Sequence, residues 1–253
     1  MLKRFSVYLL LVLVALMVDR PVVKAAEPAG NDVVITALQG SARLFTKGAA
    51  TGVALKKGDK LKKEHEVKVG EKSRLEIRFP DGTVMRLAEK SHIKMNELAF
   101  NKQTDGKNVK VGLSAGKLWA NVKRMTTSDS SVEVATSNAV AGVRGTVYRV
   151  NVEDDQSALI KVYDGSVYVA NPPRDASKQI DKATEPHEVP GPHEVPPPHH
   201  EVSMEEWTAI VTAMQQITIS PQGVPSKPQD FDPKADLDDW VKWNQERDKQ
   251  VQF

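Results

Sequence analysis

The chain has 253 residues and no cysteine, and its 35 Lys and Arg nearly balance 33 Asp and Glu. Disulfides, a thiol nucleophile and a lipid-modified cysteine are all excluded, so the core must hold by packing alone. The balance conceals a split, because residues 26–170 carry 23 basic against 17 acidic side chains while residues 171–253 carry 8 against 15.

Lys3 and Arg4 precede an apolar stretch of fourteen residues from Phe5 to Val18. A bilayer crossing takes roughly 20 residues, so a signal peptide over 1–25 is expected, with cleavage before Ala26. The alternative is an inner-membrane anchor over residues 5–18. Export to the periplasm or beyond makes nucleic acid an unexpected partner, all the more with so small a basic excess and no interleaved aromatics. The charge split fits either an acidic tail docked on its own domain or an anionic envelope partner.

From Asp32 to Ala170 the pattern has period two with Gly or Asp-Gly punctuation, which predicts an all-β domain over 32–170, a hairpin-built roll, sandwich or solenoid. At Pro80-Asp81-Gly82 a three-residue loop pairs Ile77 with Met85 and Leu75 with Leu87, keeping one face apolar, with Gly82 at the left-handed position. At Asp164-Gly165 a two-residue turn is expected to pair Val162 with Val167 and Ile160 with Val169. Thr146, Tyr148, Val150 and Val152 share one face. The segments 101–108 and 153–157 are polar and expected at the surface.

Residues 171–202 change character. Pro-His-Glu-Val occurs twice and is echoed a third time, which predicts an extended polyproline linker. In the tail, 203–253, two helices are expected. One runs from Met204 to Ile217 behind a Ser203–Glu206 capping box, with Trp207, Ile210, Val211, Met214 and Ile217 on one face. The other starts at Asp232-Pro233, with Leu237, Trp240, Val241 and Asn244 as its apolar face and Arg247 and Lys249 at its end.

The string Gly142-Val143-Arg144-Gly145-Thr146, with Tyr148 and Val150 beyond it, resembles the signature of the FecR domain. The likeness extends over about 58–170, through Gly58-Asp59, Val67, Gly70, Ser73, Phe79, Asp81-Gly82-Thr83, Leu113, Gly116, Leu118 and Asp164-Gly165. It implies a non-catalytic exported module for protein interaction or envelope signalling, with another envelope protein as partner. The best-understood members of that family are inner-membrane regulators with a sigma-binding segment before one membrane helix. Only four residues precede the apolar run here, so the resemblance implies the periplasmic module alone.

The candidate chemistry is sparse. Arg144 beside Gly145 would grip an anion or satisfy carbonyls freed at a bulge, and the second role is expected because buried polar groups nearly always have partners. The signature residues Gly142, Val143, Arg144, Gly145 and Thr146, with Asp81, Gly82, Asp164 and Gly165, are accordingly read as structural. His187, His193, His199 and His200 are the candidate metal ligands. Six polyproline residues at about 3.1 Å each hold His187 and His193 roughly 19 Å apart, so a solvated spacer is expected and no cofactor is assigned. Asp230-Phe231-Asp232-Pro233-Lys234 lacks the ligands and Gly of a calcium loop. No nucleophile elbow, phosphate loop or zinc-protease motif occurs, so the chain is not expected to be an enzyme. The alternative reading is an envelope-polymer or carbohydrate binder using Lys56, Lys57, Lys60, Lys62, Lys63, Lys68 and Lys72.

Overall fold

Alternating apolar residues build most of the described structure. The computed structural model describes residues 32–101, 103–104, 106–128, 130–172 and 207–251. The signal segment, the Pro-rich run with its four histidines and the Ser203–Glu206 cap lie outside those residues. In chain order the first strands are β1 (Val33–Gln39), β2 (Ala42–Phe45), β3 (Val53–Ala54), β4 (Lys60–Leu61), β5 (Glu66–Val69) and β6 (Arg74–Arg78). They are followed by β7 (Val84–Leu87), β8 (His92–Asn101), β9 (Gly106–Asn121), β10 (Ser131–Ala135), β11 (Val140–Val143) and β12 (Val147–Val152). The last are β13 (Ala158–Asp164), β14 (Ser166–Ala170), β15 (Thr208–Thr212), β16 (Gln215–Ile219), β17 (Gln229–Asp230) and one helix, α1 (Asp239–Asp248).

The strands form two layers that share β9. Sheet A runs β4-β1-β6-β7-β9-β12-β13-β16-β17. Sheet B runs β3-β2-β5-β8-β9-β10-β11-β14-β15. Pairing is antiparallel except between β9 and β10. β9 changes sheet at Gly116, whose φ is +83° and where a Cβ would sit 2.5 Å from Ser91 Cα. The Ser91 hydroxyl closes that bend, accepting from Lys117 N and donating to Lys117 O, both at 3.0 Å.

Between the layers lies a core that includes Ile35, Leu75, Ile77, Leu87, Leu118, Val150 and Ile160 from sheet A. Val67, Ile93, Val111, Leu113, Val134, Val169 and Val211 face them from sheet B. Burial of each such side chain contributes about 1.5–3 kcal/mol. The first predicted hairpin is present, with Ile77 opposite Met85, Leu75 opposite Leu87 and Gly82 at φ +93°.

Three expectations are corrected. Asp164-Gly165 does not close a paired hairpin: β13 pairs with β12 and β16 in sheet A, β14 with β11 and β15 in sheet B. Val162 and Val167 are both buried, but in opposite layers. The helix expected over 204–217 is instead a pair of strands, β15 added to sheet B and β16 to sheet A. Its β-branched residues fit the open edges of β14 and β13, and those ladders outweigh a marginal helix. Among the described residues the tail therefore contributes one helix, not two. It starts at Asp239 behind Asp238, whose Oδ1 accepts from Val241 N at 2.7 Å, while Asp232 caps only a preceding turn.

Candidate functional site

The signature string is the point where the chain crosses from sheet B to sheet A. β11 ends at Val143 and β12 begins at Val147, so Arg144-Gly145-Thr146 form the corner. Gly145 has φ +124°, and a Cβ there would meet Arg124 Cα at 2.7 Å, which bars any side chain. Thr146 Oγ1 donates to Ser166 O at 2.8 Å, and Thr146 O accepts from Val122 N at 3.0 Å. Arg144 is exposed, donates from Nη2 to Thr127 O at 2.5 Å, and its carbonyl accepts from Met125 N at 3.2 Å. A Cβ on Gly165 would lie 2.8 Å from Gly145 O, so the two sheet-switching corners rest against each other. Gly142, opposite Glu133 and Tyr168, lies on the outer face of sheet B.

Asp81 sits on the turn between β6 and β7, tied through Thr83 Oγ1 to Lys123 N at 3.2 Å, beside the Arg124 that backs the Gly145 corner. Its carboxylate accepts from Thr83 N at 3.1 Å and Thr83 Oγ1 at 2.7 Å, and it pairs with the buried Lys107 ammonium. Asp164 is exposed.

The outer face of sheet A holds the largest polar constellation. Glu76, Arg86, Trp119, Arg149 and Lys161 sit opposite one another on five successive strands. Over this row lies the chain's own C-terminal segment, a strap from Phe231 to Val251. Phe231 meets Tyr163 edge-on at 5.5 Å. Asp236 accepts from Arg149 Nη2 at 2.8 Å, Lys161 Nζ at 2.7 Å and Tyr163 Oη at 2.5 Å. Trp240 and Val241 bury against Trp119, Tyr163 and Ala88. Asp248 accepts from Arg86 Nη1 at 2.6 Å and Trp119 Nε1 at 2.9 Å. Glu76 accepts from Arg86 Nε at 2.7 Å, Arg247 Nε at 2.6 Å, Arg247 Nη2 at 2.8 Å and Thr36 Oγ1 at 2.7 Å. Arg74, Arg86 and Arg247 surround the Trp243 ring at 5.3–5.9 Å, and Trp243 stacks on Trp240.

Burial by itself would raise the Glu76 carboxyl, but the hydrogen bonds from Arg247, Arg86 and Thr36 outweigh it and hold it at about 2. Asp236 follows the same logic: burial opposes ionisation, and Lys161, Tyr163 and Arg149 still bring it below the usual carboxylate range. Tyr163 is pushed up, first by burial and then by its bond to Asp236. Glu76 and Asp236 stay ionised near neutral pH, each bound by several donors, which suits a structural latch.

Sheet B is different outside. Its outer face carries Lys94, Lys110 and Lys68 among Glu66, Glu97 and Glu133, with pairs such as Lys110–Glu97 at 3.6 Å and Lys110–Glu133 at 3.9 Å. Among the described residues no segment lies over this face as the strap lies over sheet A. Lys72–Arg74, Ala88–Lys90, the β9 bend at Ala115–Lys117 and Val152–Asp154, with Gln39, Gln156 and Trp240, line a pocket of about 650 Å³. Its charges are mixed: Lys72, Arg74, Lys90 and Lys117 against Glu89, Glu153 and Asp154.

All seven lysines named from the sequence are exposed but do not converge. Lys56 and Lys57 lie between β3 and β4, Lys62 and Lys63 between β4 and β5, and Lys72 between β5 and β6. Lys60 pairs with Asp32 at 2.7 Å, and Lys68 lies over the Phe45 ring. No group of three or more metal-capable side chains occurs among the described residues. The sequence reading missed Glu76, Arg86, Trp119, Arg149 and Asp236; the Glu76–Arg86 opposition follows from the three-residue register and was the available signal.

The fold and its paired corners define a two-layer, all-β module closed on one side by its own tail. Residues 65–168 match the family model described as FecR protein. A crystal structure of a putative anti-sigma factor from Parabacteroides distasonis is similar at 17% identity and TM-score 0.44, covering 67% of this chain and 61% of that one. A second crystal structure of a putative anti-sigma factor from that organism gives 16% and 0.43 with the same coverage. This chain thus spans less than two thirds of the protein it matches. A comparison with curated proteins finds no match.

Proposed function

We propose that this protein is a non-catalytic, exported FecR-type module that binds another envelope protein and serves envelope signalling, with the outer face of sheet B as its binding surface. The observation that carries this reading is the asymmetry of the layers. The outer face of sheet A is spent on the strap, whereas among the described residues that of sheet B presents an open ladder of both charge signs. Such a face suits a protein with complementary charges, since alternating signs fix register and reject wrong partners. The signal peptide over 1–25 delivers the module, the segment 171–202 acts as a solvated spacer, and the signature residues and Asp81 shape the corners rather than touch a ligand. Among the described residues no helix is long and apolar enough to cross a membrane.

A second reading, binding of an anionic envelope polymer, is favoured by the exposure of all seven lysines. The two separate cleanly in sedimentation with purified cell-wall material. Polymer binding would be lost on changing Lys56, Lys57, Lys62 and Lys63 to Gln and on raising salt, because exposed charges are screened within about 8 Å at physiological ionic strength. The protein-partner reading predicts no sedimentation with cell wall at any salt, and partner capture that these changes leave intact.

A further inference from the structure

Among the described residues six large apolar side chains are exposed, and two of them, Tyr168 and Ile210, are neighbours on the outer face of sheet B, with Met214 and Val224 beyond the two ends of β15. Tyr168 (52%) lies beside Ile210 (66%) in register across β14 and β15. Met214 (43%) follows β15 directly, and Val224 (62%) adjoins Gly223, whose carbonyl accepts from the indole of Trp207 just before β15. β15 is the outermost strand of sheet B, with β14 as its one strand partner among the described residues. It has five residues, Thr-Ala-Ile-Val-Thr, with neither charge nor proline. The other outermost strands, β3, β4 and β17, are two residues each, and Lys60 and Asp230 put charge on two of them. Short or charged edges resist pairing; a longer, uncharged, β-branched one invites it.

The free side of β15 can be identified. Thr212 N–H is bound by Gln215 Oε1 at 3.2 Å rather than by β14. Backbone groups alternate sides along a strand, so those of Ile210 and Thr208 also face away from β14. The strand is nearly a palindrome about Ile210. Antiparallel pairing with itself would set Ile210 opposite Ile210, Ala209 opposite Val211 and, once Gln215 Oε1 is displaced from Thr212 N, Thr208 opposite Thr212, with no charge against charge. A two-fold axis requires this kind of self-complementary patch. Tyr168 would then continue the apolar stripe on both sides.

We infer that β15 is a homodimerisation edge, on which a second copy of this chain adds its own β15 antiparallel through a two-fold axis at Ile210, joining the two B sheets into one. One five-residue strand pair is a small contact beside the roughly 1,200–2,000 Å² of a standard stable interface, so the association is weak and concentration-dependent. It leaves the charged part of sheet B, around β8 to β10, free for another partner.

The absence of native cysteine supplies the test. Directly opposed residues in an antiparallel pair have Cβ atoms roughly 4.5–5.5 Å apart, within reach of a short thiol cross-linker. Ile210→Cys and, as control, Val53→Cys on the remote edge β3 are made in the full chain and purified in the form the cell accumulates. The expected result is a covalent dimer from Ile210→Cys and none from Val53→Cys. Sedimentation of the unaltered protein should show dimer growing with concentration, and Ile210→Lys should abolish it while leaving the circular dichroism and melting curve intact. The inference is overturned by a monomer up to about 1 mM, by a dimer that Ile210→Lys leaves unchanged, or by cross-linking at position 53 instead. It is overturned equally if Ile210→Cys labels only a different envelope protein, which would make β15 a heterologous docking strand.

Discussion

Replacing Glu76 with Gln probes the latch that holds the strap to sheet A. The Glu76 carboxylate accepts four hydrogen bonds, three of them from guanidinium groups, and Arg86 is fully buried beneath the strap. Its carboxyl is held at about 2 against an ordinary 4.5. At about 1.4 kcal/mol per pKa unit, the ties to the ionised form are worth on the order of 3 kcal/mol. Removing one partner of a buried ion pair costs about 3–5 kcal/mol by a separate route, so the two magnitudes agree. Gln keeps the volume and one acceptor but leaves Arg86 with Asp248 as its carboxylate partner, beside the Asn244 carbonyl. For a domain of this size, ~3 kcal/mol corresponds to a fall in Tm of roughly 6–12 °C. Urea titration followed by tryptophan fluorescence reads both the loss and its location, since Trp119, Trp240 and Trp243 lie under or in the strap. Because the ionised form is the one stabilised, the contribution is complete above about pH 4.5 and is lost as pH falls towards 2. The difference between Glu76→Gln and the unaltered protein should therefore shrink over that window. A loss below about 1 kcal/mol at pH 7, or a difference that grows on acidification, refutes the latch.

Further outcomes follow from the same geometry. Asp236→Asn removes the charge shared by Arg149, Lys161 and Tyr163. It should speed amide exchange across residues 231–251 at least tenfold, with strands β5 and β8 unaffected. Gly145→Ala forces a Cβ against Arg124 at positive φ, at a cost of at least about 2 kcal/mol by urea unfolding. Gly48→Ala also has positive φ but meets nothing within 4 Å, and should cost roughly 1 kcal/mol; equal losses at the two sites would refute the steric account.

What the sequence made legible depended on whether a local rule had one solution. At Pro80-Asp81-Gly82 only one loop length kept Leu75, Ile77, Met85 and Leu87 on a common face, and that register is the one found. At Asp164-Gly165 the same rule has two solutions. Val162 and Val167 are buried either as neighbours in one sheet or as residues facing each other across two, and period two does not separate these. In the tail, Trp207, Ile210, Val211, Met214 and Ile217 fit a helical spacing. The β-branched content of residues 208–219 and the open edges of β13 and β14 decide for strands. The sheet A row was hidden for another reason. Alternation tells which residues point outwards, not whether something covers them, and the cover for Glu76 is Arg247, 171 positions along the chain. The acidic excess of the tail was the available hint, and Asp236 and Asp248 show where part of it is used.

The central claim is that sheet A is closed by the chain itself while sheet B meets a protein partner in the envelope. Its most direct test places a photo-cross-linking residue at Glu133 or Lys94 on sheet B, and at Lys234 on the strap, in living cells. Adducts are then identified by mass spectrometry. The account predicts one envelope protein, the same from Glu133 and Lys94, and none from Lys234. Adducts to cell-wall polymer, or the same partner captured from Lys234 as readily as from sheet B, would contradict it.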